Sequence, residues 1–126
     1  MTEYPNFSDL QGKTLKDVRQ IGDDRLEFEC EDGSVYALLH NQDCCESVNI
    51  ESIVGDLSDL TGTPILLAEE ATSHDAPEDR KPDEYPGESE TWTFYKLATI
   101  KGSVTIRWFG SSNGYYSESV DFAEAA

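Results

Sequence analysis

The stretch RLEFECEDGSVYALL, residues 25–39, contains the clearest fold signal in the chain. Its first six residues alternate charged and apolar side chains, which is the period of a strand with one buried face. Asp32-Gly33 then favours a tight turn, because glycine adopts the positive φ angles that such turns need. The apolar run Val35–Leu39 is the expected returning strand. The stretch therefore predicts an antiparallel hairpin.

Similar patterns predict strands along the rest of the chain. They cover Leu15–Ile21 with a bulge, Val48–Glu51, Ile65–Ala71, Trp92–Ala98, Ser103–Phe109 and, after the hairpin signal Asn113-Gly114, Tyr115–Phe122. A short turn or a single helical turn is expected between Gly55 and Gly62. The fold class predicted is mostly β: an antiparallel sheet of seven or eight strands, forming a sandwich or partly open barrel with at most one or two short helical turns.

The chain length fits one domain, residues 1–126. Within it we expect an irregular lead-in over 1–12 and a frayed tail over 123–126. Residues 73–90 are interpreted as a mobile acidic loop, because they combine prolines, seven carboxylates and a length that is uncommon for an ordered connection.

The charge of the chain is strongly negative, with a formal net charge of −17 from 9 basic and 26 acidic residues. No Lys or Arg occurs between Arg25 and Arg80. Binding to a nucleic-acid backbone or to an anionic membrane is disfavoured, since both require basic side chains. Such a charge attracts basic protein surfaces or divalent cations instead.

The chain contains three cysteines, an odd number that does not suggest a disulfide framework. The N-terminus lacks the basic and apolar regions of a signal peptide, and no apolar run is long enough to span a membrane. These features predict a reducing, cytoplasmic location.

The densest polar cluster extends from His40 to Glu46. Its imidazole, thiols and carboxylates are the ligand types of a zinc or iron site, but adjacent cysteines are poorly spaced for one. A metal, if present, would use His40 with Cys44 or Cys45. A thiol nucleophile is disfavoured because Asp43 and Glu46 make the surroundings negative. The favoured interpretation is structural, with His40 and Asp43 tying down a turn.

Aromatic residues form a second candidate site. Trp92, Trp108, Tyr115 and Tyr116 offer faces on which a base can stack, and Arg107 offers a contact for a phosphate or carboxylate. The alternative is that these aromatics pack in the core or pair across strands.

Glu69 and Glu70 resemble a paired acid/base site. Acidic residues are so abundant in this chain that adjacent pairs are expected by chance. We retain both only as candidate binding residues.

Several short motifs together resemble one family of small phage and prophage proteins, known only as a domain of unknown function. The motifs are DGSVYALLH (32–40), QDCCESV (42–48), IE (50–51), GDL (55–57), PIL (64–66), AEE (68–70), ES (88–89), TWTFYK (91–96), GSVTIRW (102–108) and SNGYYS (112–117). The resemblance extends from about Leu10 to Phe122. It implies a phage accessory role and assigns no catalytic or binding residue.

The expected function is a non-catalytic acidic module that binds and inhibits a basic host protein in the host cytoplasm, its carboxylates standing in for phosphates. No cofactor is expected, and the oligomeric state stays open. The first alternative is a module that sequesters a small nucleotide-like ligand with Trp92, Trp108, Arg107 and the Tyr115-Tyr116 pair. The second is a metal or thiol enzyme around His40 and its neighbouring cysteines.

Overall fold

The computed structural model describes residues 5–41, 46–75, 77, 89–113 and 118–125. These residues form short 3-10 helices, labelled η, and β-strands. In chain order they are η1 (Phe7–Leu10), β1 (Leu15–Ile21), β2 (Arg25–Cys30), β3 (Val35–Leu39), β4 (Glu46–Val54), η2 (Leu57–Leu60), β5 (Leu67–Ser73), β6 (Ser89–Thr99), β7 (Gly102–Ser112) and β8 (Asp121–Glu124).

The strands form two four-stranded sheets, with the orders β1-β2-β3-β8 and β4-β7-β6-β5. Every pair of neighbouring strands is antiparallel. The prediction of a mostly β chain with antiparallel sheets is confirmed, and the described strands form a sandwich rather than a closed barrel. The bulge expected in β1 lies between Leu15 and Asp17.

The core lies between the two sheets. Because successive side chains of a strand point to opposite faces, each strand contributes every second residue to this core. The fully buried side chains come from both sheets and include Leu26, Phe28 and Leu38 from the first and Tyr95, Leu97, Ile106 and Trp108 from the second. Burial of each such side chain contributes about 1.5–3 kcal/mol.

The predicted hairpin of residues 25–39 is confirmed. Gly33 has a φ of 93°, so the turn uses the left-handed conformation that glycine adopts readily. The Asp32 carboxylate accepts hydrogen bonds from the Ser34 hydroxyl at 2.5 Å and the Ser34 amide at 2.9 Å. These bonds lower the pKa of Asp32 below its usual value.

The irregular lead-in expected over residues 1–12 contains a regular element at Phe7–Leu10. This segment is a 3-10 helix whose Phe7 and Leu10 side chains are both buried in the core. Residues three apart on a 3-10 helix point the same way, so both reach the interior. Phe7 makes edge-to-face contacts with Tyr95 at 4.7 Å and with Phe122 at 5.5 Å between ring centroids.

The C-terminal segment also differs from expectation. Of the strand predicted over Tyr115–Phe122, only Asp121 and Phe122 lie in a described strand, β8, which pairs with β3 in the first sheet. Residues 115–117 lie outside the described residues. Asn113-Gly114 therefore does not join β7 and β8 as a hairpin, since these strands belong to different sheets. Ala123 and Glu124 lie within β8 rather than in a frayed tail.

The acidic loop predicted over residues 73–90 overlaps a strand at each end. Ser73 is the last residue of β5, and Ser89 and Glu90 begin β6. The prediction for residues 76 and 78–88 lies outside the described residues. The strand expected over Ile65–Ala71 is shifted by two residues, because Ile65 and Leu66 precede β5.

Candidate functional site

His40 lies at one end of the sandwich, directly after β3. Its Nε2 atom is 3.0 Å from Oε1 of Glu46, and its Nδ1 atom is 2.8 Å from the carbonyl oxygen of Ser119. A carbonyl oxygen only accepts, so Nδ1 donates the hydrogen bond to Ser119 and one proton lies between Nε2 and Glu46. The side chains of His40 and Glu46 are only 6 % and 2 % exposed. His40 thus connects both sheets to the segment that leads into β8.

Glu118 makes the second polar contact at this end of the sandwich. Its carboxylate accepts hydrogen bonds from the hydroxyls of Thr91 at 2.8 Å and Ser112 at 2.5 Å. Ser112 is also the cross-strand partner of Glu46. Gly110 permits the close approach, because a Cβ atom there would lie 2.9 Å from both the Cβ and the carbonyl oxygen of Glu118.

The environment of Glu118 favours its ionised form. Burial alone raises the pKa of a carboxyl group, but hydrogen bonds from Ser112, Thr91 and Ser89, together with the nearby His74, outweigh this effect. The pKa of Glu118 therefore lies below its usual value. This carboxylate holds residues 118–120 against the end of the second sheet.

The described part of the His40–Glu46 cluster contains one imidazole and one carboxylate in direct contact. Among the described residues, no group of three or more His, Cys, Asp or Glu side chains is placed to hold a metal ion. The candidate residues Asp43, Cys44 and Cys45 lie outside the described residues. Cys30 is a buried free thiol. The geometry of His40 fits a structural connection between backbone segments.

The two tryptophans lie on opposite faces of the second sheet. Trp108 points into the core and is 1 % exposed. Trp92 pairs in register with Phe109, and their ring centroids are 5.0 Å apart on the outer face. The sheet therefore separates Trp108 from Trp92. Tyr115 and Tyr116 lie outside the described residues.

Arg107 lies on the same outer face as Trp92. Its Nε atom is 2.8 Å from Oε1 of Glu51, and both side chains are largely buried, at 14 % and 20 % exposed. The arginine expected to bind a ligand phosphate is thus already in contact with a carboxylate.

Ion pairs are concentrated at the β1–β2 side of the first sheet. Arg19 contacts Asp17 and Glu29 at 2.9 Å each, and Glu27 at 3.6 Å. Arg25 contacts Glu27 at 2.8 Å. The hydrogen bond from Arg19 lowers the pKa of Glu29. The negative segment that follows Arg25 in sequence is therefore partly neutralised by the fold.

An open cleft of about 500 Å³ lies at the opposite edge of the sandwich, beside η1 and β8. We call it the Glu70–Asp121 cleft, after the two carboxylate residues that line it together with Asn6, Phe7, Leu39, Asn41 and Phe122. An adjoining cleft of about 450 Å³ shares Phe7 and Glu70 and continues along β5 past Glu69 and Lys96. Since β1 and β8 are the two outer strands of the first sheet, the cleft and the Arg19 ion pairs lie at opposite edges.

Among the described residues, no base is paired with the carboxylates of the Glu70–Asp121 cleft. Neither Glu70 nor Asp121 forms an ion pair in the part of the chain that the structure describes. Glu69 points to the opposite face of β5, where Lys96 is its cross-strand partner. Partial burial raises the pKa of Glu70 above its usual value.

Tyr95 lies beneath this edge. It is the cross-strand partner of Glu70 and is fully buried, at 0 % exposed. Its hydroxyl has no hydrogen-bond partner among the described residues. Burial, followed by the charges of Glu70 and Asp121, raises the pKa of Tyr95 far above its usual value.

Sequence reasoning identified Glu70 but not Phe7, Tyr95 or Asp121 as parts of one site. The spacing of Phe7 and Leu10 is a signal that could have placed the N-terminal segment in the core. No sequence signal indicates that Asp121 joins Glu70, because β8 and β5 belong to different sheets.

The fold and its cleft define a small acidic β-sandwich domain. Residues 8–122 match the model of the family described as Domain of unknown function (DUF7448), and the chain belongs to this family. No curated protein and no solved structure gives a significant match. The resemblance to a family of unknown function is confirmed, whereas its phage or prophage origin stays a prediction. Among the described residues, no helix has the length and apolar composition needed to cross a bilayer.

Proposed function

We propose that this chain is a non-catalytic phage accessory protein that binds and inhibits a basic host protein in the host cytoplasm. One observation carries the proposal: Glu70 and Asp121 line a cleft without ion-pair partners among the described residues, at the edge opposite the Arg19 ion pairs. An uneven distribution of charge gives the domain a negative side for docking. The net charge of −17 adds long-range attraction for a basic surface.

The partner fits the description of a nucleic-acid-binding protein. Such proteins present Lys and Arg side chains in grooves that hold phosphates. Carboxylates on a rigid β-sandwich present negative charge in place of those phosphates. Because the sandwich is already ordered, binding does not have to order a flexible nucleic acid. Inhibition then follows from occupation of the groove.

Competition tests this proposal. The full chain is immobilised, proteins are captured from host lysate at low salt, and the captured basic protein is purified. Double-stranded DNA of random sequence is then titrated into the complex, with bovine serum albumin as an acidic control protein on a second surface. We expect DNA to displace the partner from our chain and albumin to capture nothing comparable. A captured protein that binds DNA and this chain simultaneously would contradict the mimicry.

The two alternatives receive less support. A nucleotide-like ligand would need Trp92 and Trp108 on one surface, and the sheet holds them on opposite faces. A thermal-shift panel that includes cyclic nucleotides tests it. A metal or thiol enzyme centred on His40 with Cys44 or Cys45 depends on residues outside the described ranges, and metal analysis of untagged protein tests it.

A further inference from the structure

The Glu70–Asp121 cleft combines an aromatic wall with two negative charges. Phe122, which is only partly buried, contributes the wall, and ring contacts with Phe7 and Tyr36 fix its position. Glu70 comes from β5 of the second sheet and Asp121 from β8 of the first. The two carboxylates thus face a shared space from separate, rigid elements. A flat cationic group matches this combination, because it can stack on an aromatic ring while its edge donates hydrogen bonds.

The hydroxyl of Tyr95 provides independent support for a ligand. A buried polar atom without a partner is uncommon in a folded protein and is destabilising. Tyr95 contacts Phe7 and is the cross-strand partner of Glu70, so its unsatisfied hydroxyl lies close to the cleft residues. This oxygen, unpartnered among the described residues, therefore lies beneath the two carboxylates, at the edge where a ligand with N–H donors would bind.

The position of Asp121 is fixed by the polar end of the sandwich. The segment before Asp121 is restrained, because Nδ1 of His40 donates a hydrogen bond to the carbonyl of Ser119 at 2.8 Å. Asn41, which follows His40, lines the cleft itself. The cleft is therefore preorganised, which lowers the entropic cost of binding.

We propose that the Glu70–Asp121 cleft is a pocket for an arginine side chain of the partner protein. This assignment rests on the proposed function and specifies where the basic partner docks. Arginine fits better than lysine, because its planar guanidinium has five donors and stacks on aromatic rings, whereas the lysine ammonium is a strongly hydrated point charge. Arg–carboxylate pairs in such sites form charge-assisted hydrogen bonds.

The first test uses N-acetyl-arginine amide as the probe. Amide chemical shifts of the ¹⁵N-labelled full chain are recorded as the probe is added, with the neutral isostere N-acetyl-citrulline amide as the ligand control. We expect arginine amide to shift the amides of Phe7, Glu70, Asp121 and Phe122, with a dissociation constant in the range of about 1–10 mM. Citrulline amide is expected to leave them unchanged.

A pair of matched variants completes the test. Glu70→Gln with Asp121→Asn removes two charges from the cleft, and Glu27→Gln with Glu29→Gln removes two charges that are already ion-paired. The cleft variant should bind arginine amide about fivefold more weakly or worse, because it loses both charge-assisted contacts. The matched variant should bind as the wild type does. Far-UV circular dichroism confirms that both fold.

Two results overturn the assignment. One is a set of arginine-induced shifts spread over the whole negative surface, and the other is an equal loss of binding in the two variants. If the cleft variant also binds the captured basic protein with wild-type affinity, the pocket is wrong while the proposed function stands. If wild-type protein captures no basic partner but arginine amide binds in the cleft, the pocket stands and the proposed function is wrong.

Discussion

Replacing His40 by alanine removes two hydrogen bonds at the polar end of the sandwich, one to Glu46 and one to Ser119. The imidazole is 6 % exposed and Glu46 is 2 % exposed, so no bulk water replaces the lost partner. The variant removes one hydrogen-bond partner from the buried Glu46 side chain and one from the carbonyl of Ser119, and it leaves a cavity between them. Both sheets and the segment before β8 lose their common contact.

The structure sets the expected magnitude. Leaving a buried polar group without its hydrogen-bond partner costs about 1–3 kcal/mol, so the loss of both contacts of His40 is expected to cost about 3–5 kcal/mol. A domain of this size has a free energy of unfolding of about 5–15 kcal/mol, so the loss is a large fraction of the total. For this chain length about 1 kcal/mol corresponds to roughly 3–5 °C in Tm. We therefore expect His40→Ala to lower Tm by about 10–20 °C.

Urea denaturation followed by tryptophan fluorescence measures this change, with calorimetry for Tm. The chain offers a matched control, since His74 is its only other histidine and is exposed, with contacts of 3.3–3.4 Å. His74→Ala should change stability by less than about 0.5 kcal/mol. A double variant with Glu46→Ala should lose less than the sum of the single variants. A loss below about 1 kcal/mol for His40→Ala would refute the reasoning.

Three further outcomes are expected. Gly110→Ala should cost about 1–3 kcal/mol in urea denaturation, because the new methyl group would lie 2.9 Å from Glu118; a stable variant would show that the 118–120 segment moves freely. Glu118→Gln should reduce the loss of stability on acidification. The pKa of Glu118 is lower in the folded state than its value of about 4.3 in the unfolded state, so the ionised carboxylate stabilises the fold above that pH. This contribution disappears as the pH falls through the folded-state pKa. Melting curves from about pH 7 to pH 3 test this, and parallel profiles for both proteins would contradict it. Phe7→Ala should cost about 3–5 kcal/mol by calorimetry, whereas a freely irregular N-terminal segment would tolerate the change.

Strands with strong local patterns could be predicted from the sequence. The sequence of residues 25–39 alternates charged and apolar side chains and then has a glycine turn, and the structure contains the hairpin that these local signals predict. The helical turn between Gly55 and Gly62 is confirmed for the same reason, since Asp56 caps it through the amide of Ser58. Packing of the strands into two layers then follows from the buried faces.

Features that depend on distant contacts could not be predicted. The Asn113-Gly114 signal is local, but the chain passes from the second sheet to the first between β7 and β8, and β8 pairs with β3. Glu118 contacts the end of the second sheet just before β8 begins. The same switch brings Asp121 near Glu70. Arg19 neutralises acids from the next strand, so a segment that is negative in sequence is not uniformly negative on the surface.

The salt dependence of partner binding tests the central claim most directly. The affinity of the captured basic protein for the full chain is measured by calorimetry from about 0.05 to about 0.5 M sodium chloride, where screening of exposed charges becomes strong. We predict that the dissociation constant rises at least about tenfold over this range. An affinity that stays constant across the series would contradict a docking surface made of carboxylates.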